Sequence, residues 1–343
     1  MNRSEPPIDP STPAELVRRL SETIRGNYVY PEAAEEICAR LQQRLDEGAY
    51  DGITEGEFLA YALTHHLQEV NGDEHLWVRW TPDPLPEHEG QLRHNAEWVA
   101  QRRLEASLDN YGLHKVERLP GNVGYLDIRH FHRPAWGGDT AVAAMNFVAN
   151  TSALIVDLRG CRGGFPDMVV LILSYLFGDE PVHLNSIYWH DDDITQQFWT
   201  LPYVPGKRFG DKPVYVLTGS DTFSGAEEFA YDLQTRQRGT VVGEQTDGGA
   251  HAGAYYRLHP HFEAFIPVGR AINPVTGGNW ERSGVTPDVA VPAEQAPATA
   301  YRLALAAVIE RLGAADSGPL GALLEEAREA LDELNGAPQE RQD

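Results

Sequence analysis

VYVLTGSDTFSGAEEFAYDL, residues 214–233, opens with a β-prone apolar run that ends at Thr218, turns through a short polar loop, and enters a helical pattern at or just after Ser224. A serine so placed sits at the carboxyl end of a strand and faces the positive end of a helix, where sites in open α/β sheets collect. Ser224 with Glu227 also reads as a plain capping box, so this stretch alone leaves nucleophile and N-cap both open.

Upstream, LIVDLRGCRGG (residues 154–164) is another buried-strand pattern followed at once by Gly160, Gly163 and Gly164. Glycines in such a turn let backbone N–H groups converge on an anionic oxygen, as in an oxyanion hole. A tight strand-to-helix turn is the structural alternative. No Gly-Lys-Ser or Gly-Lys-Thr follows, which argues against a nucleotide phosphate loop.

Between and around these stretches strands alternate with helices: Val123 to Ile128, a helix from Asp139, Leu154 to Asp157, a helix from about Pro166, Val214 to Thr218, a helix from Ser224, and Thr240 to Gly243. That spacing predicts right-handed crossovers and a largely parallel sheet. Tyr255 to Leu258 and Phe262 to Pro267 predict a hairpin turning at His259-Pro260-His261, and helices from Thr299 to Leu312 and Leu320 to Leu334 close the domain.

The N-terminal third reads differently. Capping boxes at Thr12 to Glu15 and Thr54 to Glu57, with Leu16, Val17, Leu20 and Ile24, then Ile37, Leu41 and Leu45, then Phe58, Ala62, Leu63 and Leu67, predict three amphipathic helices. A short strand at Leu76 to Trp80, a proline-rich linker and a bridging helix from Gln91 to about Asn110 follow. The expected organisation is a disordered 1–11, a helical domain 12–72, a connecting region 73–120, an α/β domain 121–334 and a flexible tail 335–343.

Fifty-one acidic against 28 basic residues, a formal charge of −23 over 343 residues, exclude a polyanionic partner, whether nucleic acid or an anionic membrane. No stretch is long and apolar enough for a signal peptide or a membrane span, so the expectation is a cytoplasmic location. Two cysteines, Cys38 and Cys161, are too few for a disulfide framework, and Cys161 reads as a bystander in its loop.

Serine needs a neighbouring base, usually histidine. Of 13 histidines, His75 stands out, because Asn71-Gly72-Asp73-Glu74-His75 is a polar turn leading into a strand. His251, His259 and His261, on or near loops after the sheet, are rivals. A metal held by those three lacks a carboxylate-rich context, so no metal and no cofactor is expected.

DEHL (73–76), GNVGYLDI (121–128), ALIVDLRGCRGG (153–164), VYVLTGSDTFSGAEEFAY (214–231), VVGEQTDGGAHAG (241–253) and IPVGRAINPVTGGNWERSGVTPDVAV (266–291), in this order, resemble the C-terminal-processing, or tail-specific, serine peptidase family. Within it they are most similar to the branch of interphotoreceptor retinoid-binding protein and the tricorn core protease, over about residues 12–295. The resemblance implies a ClpP/crotonase-like spiral of strand and helix units behind a small helical domain. It implies Ser224 as nucleophile, His75 as general base and Glu281 as the acid that orients the base. Gly225 with Gly163 or Gly164 would supply the oxyanion N–H groups.

Three departures from the family pattern matter. The lysine that other branches place about 25 residues after the serine is Gly249 here, so the base falls to His75. Arg162 stands where asparagines are common, either selecting substrate carboxylates or facing solvent. No PDZ module fits between Trp80 and Gly121, which leaves the helical domain, with Trp77, and His251 as candidate walls of a substrate cleft. The implied function is hydrolysis of peptide, or related amide or ester, bonds, in a monomer or homo-oligomer. Alternatives are a non-catalytic binding module for an apolar ligand and an acyl transferase or cyclase using the same serine.

Overall fold

The computed structural model describes residues 8–313 and 317–336, so the segments expected to be unstructured, 1–11 and 335–343, lie largely outside the described residues. The chain forms two compact units. The first draws on residues 8–105, 186–196 and 251–272, the second on 106–185, 197–250 and 273–336.

In the first unit, α1 (Thr12–Asn27), α2 (Pro31–Asp46) and α3 (Gly56–Gln68) each bury one stripe. Leu16, Leu20 and Ile24, Ile37 and Leu41, and Leu59, Leu63 and Leu67 meet in one core, the four-residue spacings keeping each set on one face. The caps differ from expectation. Ser11 and Glu55, not Thr12 and Thr54, occupy the N-cap positions, and the Ser11 hydroxyl donates to Asp9 rather than capping α1. Phe58 is exposed, because the Leu59-Leu63-Leu67 stripe sets the rotation of α3.

A sheet covers this helical core. β1 (Trp77–Trp80) and α4 (Ala96–Leu108) follow in the chain, and the antiparallel pair β9 (His251–His259) and β10 (Phe262–Ile272) forms the hairpin turning at Pro260-His261. β10 pairs with β9 along one edge, and with β1 and then the end of β5 (His183–Trp189) along the other. Val78, Ala264, Ile266 and Tyr256 face the helices, alternating with Trp77, Phe265 and Tyr255 on the opposite face. The sequence places this hairpin inside the region 121–334, but it belongs to the first unit.

The second unit holds β2 (Leu113–Leu119), β3 (Val123–Ile128), α5 (Pro134–Val148), β4 (Ala153–Asp157), α6 (Pro166–Leu176), β7 (Val214–Thr218), α7 (Gly225–Thr235), β8 (Thr240–Gly243), β11 (Val289–Ala290), α8 (Ala296–Leu312) and α9 (Gly318–Gly336). Its sheet runs β11-β8-β7-β4-β3-β2, parallel except for β2. β4 and β7 are buried at every position, as expected of strands covered on both faces. Ala296, Ala300, Ala304, Leu305 and Val308 of α8 pack with Ile155, Leu217 and Val242 on one of those faces.

Among the described residues β2, β5, β6 and the two-residue β11 escape a reading by pattern. β2 is a mostly exposed antiparallel edge strand, and β5 and β6 (Ile194–Trp199) lie where the chain crosses from the second unit to the first and back. Among the described residues no helix is long and apolar enough to cross a membrane.

Candidate active site

β7 ends at Thr218, and the loop after it is fastened to the loop after β4. The Thr222 hydroxyl accepts the Gly219 N–H at 3.0 Å and donates to Leu158 O at 2.9 Å, while the Phe223 N–H donates to Cys161 O at 3.1 Å. This brings the two stretches singled out in the sequence side by side. Ser224 then adopts φ 55°, ψ −119°, a conformation side chains other than glycine rarely take, immediately before α7 begins at Gly225. Such an outlier costs on the order of 1–3 kcal/mol and persists only when its surroundings impose it. A strained serine between a strand and a helix is the geometry of a nucleophile elbow.

Gly163 (φ +93°) and Gly164 (φ +136°) lie against this elbow. A Cβ at residue 163 would stand 2.7 Å from Gly225 N, Phe223 O and Ser224 Cβ, and one at 164 would stand 2.2 Å from Phe131 O. The pair is held in place because Phe131 N donates to Gly163 O and Phe165 N to Phe131 O, at 2.8 and 2.7 Å. Among the described residues, no hydrogen bond engages the N–H groups of Gly163, Gly164 or Gly225. A bound oxyanion is the natural partner for such donors beside a serine.

Glu227 shapes the elbow from behind. Its Oε2 accepts the N–H of Ser224 (2.7 Å) and of Gly249 (2.8 Å), and its Oε1 accepts the Thr246 hydroxyl (2.5 Å) and the Gly248 N–H (2.8 Å). Burial pushes this carboxyl up to about 7, against the four donors, which favour the charged form. Sequence reading sees Glu227 only as a capping partner, and the S-x-x-E spacing is the sole local hint of its wider role.

The loop held by Glu227 also binds the segment that carries Glu281. Ala250 N donates to Glu281 Oε2 at 2.6 Å, Trp280 Nε1 to Gly249 O at 2.7 Å, and Arg282 N to Gly248 O at 2.7 Å. Arg162 does not stand as an unbalanced cation. It pairs with Asp247 at 3.2 Å and lies 4.9 Å over the Phe223 ring, its side chain still half exposed. Cys161 is buried, and burial pushes its thiol up to about 12, so it stays protonated and inert.

His75, Trp77 and His251 belong to the first unit. His75 is buried at the end of the 71–75 turn, its N–H donating to Asp73 Oδ1 at 3.0 Å and its ring 6.0 Å from that of Phe265. Trp77 and Tyr255 flank Phe265 in register across β1, β10 and β9. The Trp77 ring stacks on Phe265 at 5.6 Å and meets Tyr255 edge-on at 5.5 Å. His251 opens β9 as a buried residue paired with Asp73. Sequence reasoning gave Asp73 no role.

Profiles of known families match the chain in two places: "Peptidase family S41" over residues 122–291, and "N-terminal domain of Peptidase_S41 in eukaryotic IRBP" over residues 11–107. The chain belongs to peptidase family S41. A carboxyl-terminal-processing protease of Synechocystis sp. is 25% identical over 196 residues, covering 57% of this chain and 44% of that protein, so the match spans less than half of the relative's length. Among solved structures, a lipoprotein of Streptococcus agalactiae superposes with a TM-score of 0.56 at 13% identity, over 87% of this chain and 98% of that one. The tricorn protease gives 0.53 at 15% identity, over 92% and 37%. At these identities the likeness is one of fold.

The S41 match to residues 122–291 takes in the Ser224 elbow, the Gly163-Gly164 turn and Glu281, while the N-terminal match takes in His75 and Trp77. The division of the expected site residues between the two family segments follows their division between the two units except at His251, which lies within the 122–291 match but in the first unit.

Proposed function

We propose that this S41 chain is a serine peptidase that cleaves peptide bonds through an acyl-enzyme on Ser224. The observation that carries the reading is the strained Ser224 elbow lying against Gly163 and Gly164, with the neighbouring backbone N–H groups uncommitted. In this mechanism His75 takes the Ser224 proton as the hydroxyl oxygen bonds to the substrate carbonyl carbon. The π electrons move to the carbonyl oxygen, which the N–H of Gly225 and of Gly163 or Gly164 stabilise. Collapse breaks the C–N bond, the imidazolium returns its proton to the leaving amine, and a water molecule repeats the sequence to free the acid. Glu281 stabilises the imidazolium.

The parallel β3, β4, β7 and β8 with their following helices are read as a ClpP/crotonase-type spiral. Substrate selection falls to the first unit's aromatic row around Trp77 rather than to a PDZ module. The test is labelling with a fluorophosphonate probe, followed by mass spectrometry of the modified peptide. Wild type is expected to carry the adduct on Ser224, and Ser224→Ala to carry none at an unchanged melting temperature to within a few degrees, given a cap-residue cost of about 0.5–2 kcal/mol. Labelling that persists in Ser224→Ala would remove the serine from the mechanism.

A further inference from the structure

Asp73, in the first unit, is engaged on three sides. Its Oδ1 accepts the His75 N–H at 3.0 Å, and its Oδ2 accepts the Tyr28 hydroxyl and faces His251 Nδ1, both at 2.8 Å. Asn71 closes the arrangement, its Oδ1 accepting the Asp73 N–H at 3.2 Å and its Nδ2 donating to the Tyr28 oxygen at 2.7 Å. The far nitrogen of His251 lies 3.3 Å from the Tyr30 hydroxyl. The Asp73 and His251 side chains are 2% and 3% exposed.

A carboxylate this deeply buried is retained in charged form only when donors surround it. Burial pushes the Asp73 carboxyl up, but the His251 hydrogen bond and charge, His75 and the Tyr28 hydroxyl outweigh it and hold the group below its ordinary range. An ionised Asp73 requires a proton on His251 Nδ1. The titratable groups facing the pair within the unit are therefore His75, Tyr28 and Tyr30. The same carboxylate that fixes the tautomer of His251 grips the backbone N–H of His75, so a change in either reaches the residue read above as the base.

We infer that Asp73 and His251 act as a positioning pair for His75, fixing the orientation of its imidazole and raising its proton affinity through the buried negative charge. The inference rests on the reading of His75 as general base. It assigns a role to a carboxylate other than Glu281 and to a histidine other than the base.

The experiment measures the rate of fluorophosphonate labelling of Ser224 from pH 5 to 9 in the full chain, with melting temperature and circular dichroism recorded for every variant. Asp73→Asn keeps an acceptor for the His75 N–H but removes the charge and turns a donor toward Tyr28 and His251. Its rate is expected to fall about tenfold or more, with the midpoint of the acid limb moving down by about half a pH unit or more. His251→Phe keeps the bulk and removes the donor, with a similar loss. His251→Asn, whose amide N–H can stand where Nδ1–H stood, should recover most of that loss.

If Asp73→Asn and His251→Phe fold and label with the wild-type rate and acid limb, the inference fails. It also fails if each loses rate only in proportion to its folded fraction with the limb unmoved. His75→Ala separates this from the reading beneath it. A His75→Ala variant that labels normally overturns the base assignment and the pair with it. One that does not label, beside pair variants of wild-type profile, overturns the pair alone.

Discussion

Replacing Glu227 by glutamine tests whether the Ser224 elbow is imposed by its surroundings. The carboxylate accepts four hydrogen bonds, from Ser224 N, Gly249 N, Gly248 N and the Thr246 hydroxyl, at 2.5 to 2.8 Å. A glutamine offers one oxygen and one NH2 group, so in either orientation two of those donors meet another donor. Each orphaned donor costs about 1–3 kcal/mol. Relief from burying a carboxyl already raised to about 7 offsets part of this, which leaves a net destabilisation of about 2–4 kcal/mol. The Ser224 N–H is among the four, so the elbow should relax from φ 55° toward an ordinary conformation and lose its register with the Gly163-Gly164 turn.

Urea denaturation followed by tryptophan fluorescence gives the stability, and fluorophosphonate labelling per folded molecule gives the competence of the serine. The expected result is a lowered midpoint with a labelling rate reduced at least about tenfold, as for loss of positioning in other active sites. Wild-type protein should lose labelling rate, but not stability, as pH falls through about 7, because a protonated Glu227 turns one of its acceptor positions into a donor, while its raised folded pKa favours the folded state at lower pH. A Glu227→Gln protein with wild-type midpoint and labelling rate would refute the view that this carboxylate holds the elbow.

Gly163→Ala should both destabilise the fold by about 2 kcal/mol or more and suppress labelling about a hundredfold, since its Cβ would stand 2.7 Å from Gly225 N, Phe223 O and Ser224 Cβ at φ +93°; normal labelling in this variant would contradict the packing of the turn on the elbow. Glu228 and Asp232, one turn apart on α7, are buried. Burial, with Asp167 adding repulsion, pushes Glu228 up to about 7 against its hydrogen bond to Asn185, and burial and the Glu228 charge push Asp232 well above the usual range. A carboxyl whose folded pKa is raised contributes stability that is complete below the unfolded value and lost as pH rises through the folded one. The urea midpoint should therefore fall as pH rises from about 4.5 through 7, with Glu228 contributing up to about 3 kcal/mol from its shift from 4.5. Glu228→Gln should flatten that slope, and an equal slope in both proteins would exclude Glu228 as its source.

Much of the second unit is legible in the sequence because its signals are local. The apolar runs of β4 and β7 are continuous where both faces are buried, and glycines stand at 163 and 164, where φ is positive. The caps of α1 and α3 are misplaced by one residue, since several capping-competent residues adjoin and the packing of Leu16 or Leu59 decides the phase. β2 goes unseen because an exposed edge strand has no buried face to impose a period of two. Glu227 looks like an ordinary cap because three of its four donors lie 19 to 22 residues away.

By itself the sequence determined the types of most elements, the order of the parallel strands and their helices in 123–243, the pairing of a serine turn with a glycine turn, and the family. Each of these follows from residues close together in the chain or from motifs in a set order. Tertiary structure alone decided that the β9–β10 hairpin joins the first unit, that Arg162 is balanced by Asp247, and that Asp73 belongs with His251, 178 residues away. The physical reason is that side-chain periodicity and backbone preference act within a few residues. Which distant donor satisfies a buried carboxylate is settled only when folding removes water from around both.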